Sequence, residues 1–173
     1  AQVFCEVFSP PARLLIVGAV QIAMPLVELA RVVGFQTYVI DPRQVFANRE
    51  RFPTADEIVV GWPADELEAL TVDESTFIVF ISHDEKFDLP ALLTALKSKA
   101  RYIGALGSRT THAARVEKLM RLGLQPEEIA RIHAPIGLDI GAAGSQEIAL
   151  AILAQMIAVK NGKNLPGKSA GSA

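Results

Sequence analysis

Five short segments combine small, polar and charged residues in patterns able to hold or act on a ligand: Gly18-Ala19-Val20-Gln21, Asp41-Pro42-Arg43, Ser82-His83-Asp84, Gly104 to Arg109, and Pro135 to Gly141. His83 followed by Asp84 offers an imidazole that titrates near neutral pH and a carboxylate to orient it, the pairing used in general acid–base chemistry. Adjacent residues of an extended chain point to opposite sides, so the two need not touch. Ligand contact by His83 therefore fits the pattern better than proton transfer, and no catalytic residue is assigned beyond these two candidates. In Gly104-Ala105-Leu106-Gly107-Ser108-Arg109 a hydroxyl and a guanidinium join small residues. Backbone amides there and a bidentate Arg109 suit a phosphate. The plainer reading gives the glycines to the turn and Arg109 to solvent.

The first segment is half of a dinucleotide-binding fingerprint, whose glycines let backbone amides approach a pyrophosphate at a helix start. Gly18 is in place, Val20 stands where the second glycine belongs, and Ala23 is acceptable as the third. The β-branched Val20 fills space that a diphosphate takes. Asp41, about twenty residues on, is positioned to accept from a ribose hydroxyl, although Asp before Pro is equally an ordinary turn. In Pro135 to Gly141, two glycines and a proline among aliphatics mark a structured, partly buried loop, with Gly137 and Asp139 able to face a ligand. His83, Asp84, Asp88, His133 and Asp139 match no compact metal-ligand spacing, so no metal site is expected. His112 is expected on a helix surface, Trp62 and Tyr102 in packing, and Cys5 carries no activating motif.

Positioning these segments requires alternating strands and helices. Leu14–Val17 reads as a strand, followed by a turn at Gly18 and a helix from Gln21 or Ile22 to a stop at Gly34. Further strands are expected at Thr37–Ile40, Glu57–Val60, Phe77–Ile81 and Tyr102–Leu106, and helices at Pro90–Lys99, Thr110–Leu122 and Pro126–Arg131. A long helix capped by Ser145 is expected to run to Lys160. The continuous apolar run Phe77–Ile81 marks a central strand covered on both faces. Sustained βα alternation implies a three-layer, doubly wound, Rossmann-like α/β fold with a mostly parallel sheet over residues 1–160. Ligands of such a sheet bind outside the carboxyl ends of its strands. Residues 161–173, rich in Gly, Lys and Ser, are expected to be disordered.

The 173 residues, half of them hydrophobic and 21% charged, suffice for one compact domain. A net charge of −2 with no basic cluster argues against nucleic acid. No apolar run reaches membrane-spanning length and no signal-peptide pattern opens the chain, so a cytoplasmic location is expected. One cysteine agrees with a reducing compartment. The start at Ala1 instead of Met leads to the expectation of a processed chain or a fragment.

Taken together, Pro10-Pro11, Val39-Ile40-Asp41-Pro42-Arg43, Arg51-Phe52-Pro53, Ser82-His83-Asp84, Tyr102 through Arg109, and Pro135 through Gly141 resemble the XdhC/CoxF family. The resemblance runs in order from about Phe8 to Lys160 and covers that family's Rossmann-like C-terminal domain. It implies an accessory factor for molybdenum hydroxylases such as xanthine dehydrogenase, a chaperone and not a metabolic enzyme. Such a factor binds molybdenum cofactor (molybdopterin), protects it during sulfuration and passes it to the apoenzyme. The apoenzyme and a sulfurtransferase are the implied partners, and a homodimer is left open. On this reading Gly18, Ala19, Asp41, Arg43, His83, Gly104, Gly107, Ser108, Arg109, Gly137 and Asp139 meet the cofactor. Two departures stand out. The family commonly has Gly-Ala-Gly-His in the first turn, where this chain has Gly18 to Gln21, and the family's N-terminal domain with its cysteine motif has no counterpart here, so Cys5 inherits no role. The alternative from another class is an NAD(P)-dependent oxidoreductase with Asp41 on the ribose and His83 as acid/base, against which Val20 stands. A third is a domain that only docks a partner.

Overall fold

A computed structural model describes residues 3–6 and 9–163. Its strands are β1 (Arg13–Val17), β2 (Gln36–Ile40), β3 (Glu57–Val59), β4 (Thr76–Phe80), β5 (Tyr102–Ala105) and β6 (Ile132–His133). They form one sheet in the order β3-β2-β1-β4-β5-β6, and all five pairings are parallel. The order reverses between β1 and β4, where a doubly wound sheet opens its ligand crevice. The helices are α1 (Ala23–Val32), α2 (Pro63–Ala69), α3 (Glu85–Lys97), α4 (Arg109–Arg121), α5 (Pro126–Ile129) and α6 (Gly144–Lys160).

The period-2 alternation of the strands sorts the core into two layers. Leu14, Ile16, Val39, Phe77, Val79 and Tyr102 pack against Leu26, Val27 and Ala30 of α1 and Ile152, Leu153 and Met156 of α6. Leu15, Val17, Ile40, Ile78, Phe80 and Ile103 face the other way, onto Leu67 of α2, Leu92 and Leu96 of α3, Leu119 of α4 and Ile129 of α5. Both faces are covered, which is why β1 and β4 read as unbroken apolar runs. No described helix is long and apolar enough to cross a membrane.

The structure departs from the sequence expectations at identifiable points. Helix α3 begins at Glu85, not Pro90, because Asp84 caps it by accepting the Lys86 amide at 3.0 Å, and Glu85 and Asp88 favour its first turn. Pro90 sits inside the helix. Ser145 does not cap α6. Ala143 holds that position, and the Glu147 carboxylate reaches back to the Ala143 amide at 2.8 Å. Helix α2 and the two-residue edge strand β6 were not expected, although Pro63 at the helix start with Asp65 and Glu66 in the first turn is a recognisable N-terminus. Trp62 is half exposed, at 48%, and lies edge-on to Phe87. His112, expected on the surface, is half-buried, with Nδ1 enclosed and without a partner among the described residues. Residues 161–163 form the closing turn of α6, with the Gly162 and Lys163 amides donating to the Val159 and Ala158 carbonyls. The remainder of the expected disordered tail, 164–173, lies outside the described residues.

At the centre of the sheet the ends of β1 and β4 come unusually close. A Cβ on Gly18 would stand 2.6 Å from the Ser82 amide nitrogen and 2.9 Å from its Cα, and Gly18 has φ +111°. Nothing there yields except backbone. Gly18→Ala is expected to lower the free energy of unfolding by roughly 2–4 kcal/mol. Gly34→Ala, at φ +89° with no atom within 4 Å, is expected to cost only about 1 kcal/mol of backbone strain. Urea denaturation of the two variants side by side checks the contrast.

Candidate functional site

The carboxyl ends of β1, β2, β4 and β5 deliver the Gly18, Asp41, Ser82 and Gly107 loops to one edge of the sheet. Asp41, 1% exposed, is the most heavily bonded side chain among them. Its Oδ2 accepts from the Ala19 amide and Arg43 Nη2, both at 2.8 Å, and its Oδ1 accepts from the Arg43 amide and Nε, both at 2.9 Å. Burial pushes the Asp41 carboxyl pKa up, but the Arg43 side chain and the two amides together outweigh it and hold the group below its ordinary value. A carboxylate has about four acceptor positions, and all four are taken. Asp41 therefore joins two loops of its own chain and has nothing left for a ribose hydroxyl. Arg43 in turn stacks over Phe46, 4.6 Å from the ring centroid.

Arg51, which belongs to the connection after β2, donates to the Ala19 carbonyl at 2.7 Å and the Phe46 carbonyl at 3.1 Å. The amide and the carbonyl of Ala19 are thus both engaged within the protein.

Among the glycines of the expected ligand set, Gly18, Gly104 and Gly137 are small because protein packs against them. A Cβ on Gly104 would lie 2.6 Å from Ile136 Cδ1 and 2.7 Å from the Tyr102 hydroxyl, and one on Gly137 would lie 3.2 Å from the α6 backbone at Ala151. The loop 134–141, which contains a cis Ala134–Pro135 bond, is held there by Gln155. Its Oε1 accepts from the Tyr102 hydroxyl at 2.6 Å and the Gly137 amide at 2.9 Å. The loop is structured and partly buried, as its composition implies. Gly107 also borders two adjoining hollows, but a Cβ there would lie 3.0 Å from the Thr111 side chain, and its φ of +134° itself calls for glycine.

One hollow, about 440 Å³, lies over the α1–α6 side of the crevice, with Ile22, Ile136, Leu138, Asp139 and Ile148 in its walls. The other, about 290 Å³, lies between α3 and α4 and includes Ser82, Asp88, Leu92, Thr111 and Arg115. His83, Leu106 and Gly107 belong to both. His83 is exposed between the hollows, while the Asp84 carboxylate turns to the Lys86 amide as the α3 cap, so the two do not act as a base and its orienter. Ser108 caps α4 by accepting the Thr111 amide at 3.1 Å, and Arg109 is the exposed first residue of that helix. Asp139 is exposed on the far wall. The structure thus brings His83, Gly107 and Asp139 to one crevice with Ser108 and Arg109 in the segment that follows Gly107. It leaves Ala19, Asp41 and Arg43 in a hydrogen-bonded cluster beside it, with the carboxylate buried and the Arg43 side chain partly exposed. Among the described residues no three His, Cys, Asp or Glu side chains gather as metal ligands. His133 lies flat against Tyr102 at 4.7 Å, and burial lowers its pKa.

The sequence reading does not single out Asp88 and Arg115 as site residues. Asp88 is 5% exposed, and its Oδ1 accepts from the Ser82 hydroxyl at 2.8 Å. Burial pushes its carboxyl up to about 7, against the Ser82 hydrogen bond and the nearby Arg115 charge. Arg115 Nη2 donates to the Leu106 carbonyl at 3.0 Å, while Nη1 is buried without a partner among the described residues. A helix started at Asp84, as an N-cap, places Asp88 in its first turn beneath Ser82, and that signal is present in the sequence.

Comparison with known proteins agrees with this architecture. The sequence profile of the XdhC Rossmann domain matches residues 14–156. The molybdenum cofactor insertion chaperone PaoD of Escherichia coli is 31% identical over 88% of this chain and 42% of its own length. A Bacillus subtilis protein described as a probable subunit of xanthine dehydrogenase is 30% identical over 89% of this chain and 44% of its own. A crystal structure described as a xanthine dehydrogenase from Bacillus halodurans superposes with a TM-score of 0.78 at 36% identity, covering 90% of this chain and 44% of that one. This chain spans less than half the length of these relatives.

The Asp88 carboxyl gives the site a pH signature. Its pKa is raised from 3.8 unfolded to about 7 folded, so it remains protonated in the native state where the unfolded chain has already released the proton. Its stabilising contribution is full below about pH 4 and is lost as pH rises toward 7. Asp88→Asn keeps an oxygen for Ser82 and removes this titration. The unfolding free energy of the wild type is expected to fall relative to the variant by at most roughly 4 kcal/mol between pH 4 and 8. Denaturant titrations at a series of pH values read it directly, and parallel pH profiles would show that Asp88 is an ordinary carboxylate.

Proposed function

This chain belongs to the XdhC Rossmann-domain family, and from that premise we propose that it is a maturation factor for molybdenum hydroxylases of the xanthine dehydrogenase type. It binds molybdenum cofactor at the strand-end crevice, holds it while a sulfurtransferase acts, and passes it to the apoenzyme. The observation that carries this reading is the similarity to PaoD, a molybdenum cofactor insertion chaperone, over 88% of this chain. The crevice supplies suitable chemistry for such cargo. Gly107 borders both hollows, and Ser108 and Arg109 follow it at the start of α4, where a hydroxyl, a guanidinium and a helix N-terminus suit a phosphate. His83 and Asp139 offer polar contacts to the rest of the molecule from opposite walls. The apolar walls, Ile22, Ile136, Leu138 and Ile148, exclude water from a reactive cargo.

The oxidoreductase alternative loses its anchor. A dinucleotide site of this fold needs an acidic acceptor for the ribose at the end of β2, and that carboxylate is saturated by Ala19 and Arg43. Val20 further crowds the diphosphate path. Asp41, Arg43 and Ala19 thus serve the cargo site indirectly, by fixing the floor of the crevice.

Molybdenum cofactor is expected to raise the thermal midpoint of the purified chain, because a ligand that binds only the folded state stabilises it. NAD and NADP are expected to leave the midpoint unchanged. Arg109→Ala, with circular dichroism unaltered, is expected to weaken cofactor affinity about tenfold or more, the loss associated with one charge-assisted contact. Stabilisation by a dinucleotide alone would overturn the maturation reading, and full affinity in Arg109→Ala would remove the phosphate assignment.

A further inference from the structure

The hollow between α3 and α4 pairs an acceptor and a donor at its base in an arrangement the cargo-binding role described above does not by itself require. Asp88 Oδ1 is occupied by the Ser82 hydroxyl, whereas among the described residues Oδ2 accepts no hydrogen bond. Across the same hollow, Arg115 is anchored through Nη2 on the Leu106 carbonyl and keeps Nη1 buried and unpaired among the described residues. A buried guanidinium N–H without an acceptor is a lasting cost, removed when a carbonyl oxygen arrives. The side chain of Asp88 lines the same hollow, where its second carboxyl oxygen is open to ligand N–H groups. At about 290 Å³, flanked by Leu89, Leu92 and Leu106, the hollow is at the small end of ligand pockets and suits a flat ring.

We propose that this hollow is a subsite for a planar heterocycle presenting N–H donors beside a carbonyl oxygen, the 2-amino-4-oxopyrimidine edge shared by pterins and guanine, with Asp88 accepting from the N–H groups and Arg115 donating to the carbonyl. The same complementarity lets carboxylates accept from exocyclic amines and arginine donate to the guanine oxygen in nucleic-acid readout. Through His83, Leu106 and Gly107 the subsite opens into the larger hollow. One extended ligand therefore spans both, its ring between α3 and α4 and its remaining substituents toward Asp139. The proposal rests on the maturation reading only in taking a pterin as the source of that edge.

The test is a set of titrations of the full chain at pH 8, above the point at which Asp88 ionises, with pterin, guanosine, lumazine and adenosine, followed by calorimetry. Lumazine replaces the 2-amino group of pterin with a carbonyl, and adenosine reverses the donor–acceptor order. Wild type is expected to bind pterin roughly tenfold or more tightly than lumazine or adenosine, a discrimination typical of one well-placed pair of hydrogen bonds. Asp88→Asn and Arg115→Gln are expected to bring that ratio close to one. Should either variant fail to fold, the wild-type ratio alone decides. Equal binding of pterin and lumazine, an unchanged ratio in folded Asp88→Asn, or binding of neither pterin nor guanosine at millimolar concentration each overturns the proposal. Binding of guanosine with rejection of pterin keeps the edge and assigns it to a nucleotide. Molybdenum cofactor that stabilises wild type and Asp88→Asn equally would sink the subsite and spare the maturation reading. Pterin discrimination without any effect of molybdenum cofactor would do the reverse.

Discussion

The Asp41 carboxylate is the constraint on which the ligand edge of this molecule depends. It is a charge removed from water at the end of β2, and such a charge is tolerated only when its acceptor positions are filled. Here two are filled by the Arg43 side chain, one by the Arg43 amide and one by the Ala19 amide. The last bond crosses from β2 to the loop after β1, so the turn that opens the crevice is fixed by a neighbouring strand. Arg51 holds the Ala19 carbonyl from the opposite side, and Gly18 lets the same loop lie against Ser82. From Ser82 the chain of contacts passes to Asp88 and the α3–α4 hollow. Three strand ends are thereby locked together before any ligand is bound.

That locking accounts for a divergence inside a familiar architecture. In a dinucleotide site the acidic residue after β2 and the amides of the glycine turn both face the cofactor. In this chain they face each other. The ribose position at the end of β2 is taken in consequence, and the hollows that share His83, Leu106 and Gly107 lie between the ends of β4 and β5, the loop 134–141 and the helices α3 and α4. Val20, which spoils the glycine fingerprint, is the local sign of this divergence. Without the structure it reads only as the loss of a site.

The fold is open to inference from sequence because its main determinants are local. Leu14–Val17 and Phe77–Ile81 are apolar on both faces, the helices between them carry a 3.6-residue period, and each turn is marked by Gly, Asp or Pro. What escapes is either short or ambiguous in period: β6 has two residues, and α2 has seven. Pro90 reads as a helix start because proline favours the first turn, yet the stronger signal, a capping Asp84, lies six residues upstream of it. The ligand edge is harder to read for a different reason. A glycine in a sequence does not say whether its missing Cβ makes room for protein or for ligand; Gly18, Gly104, Gly107 and Gly137 all prove to have protein within 3.2 Å of an added Cβ, and of the four Gly107 also borders the two hollows. Likewise a carboxylate at a strand end does not reveal its partners. Asp41 therefore reads as available, and Asp88, two residues ahead of the expected helix, enters only in a set of metal-ligand types whose spacing fits no metal site.

The two buried carboxylates show how one environment separates two roles. Asp41 and Asp88 are comparably inaccessible, at 1% and 5%, yet burial is overcome in one and dominates in the other. The difference is the number of donors each receives. Asp41 has four from its own chain and stays ionised, which makes it a fixed structural anion. Asp88 has one hydroxyl and a more distant guanidinium, so its charge is poorly compensated and its proton is held to about neutral pH. A protein that needed only stability would gain by replacing Asp88 with an apolar residue of similar size, since an under-bonded buried carboxyl is a net cost. Its presence next to an equally under-bonded Arg115 is understandable if both are completed from outside. The hydrogen bonds missing from the hollow, on the carboxyl oxygen of one and the guanidinium nitrogen of the other, then describe the shape of what enters it.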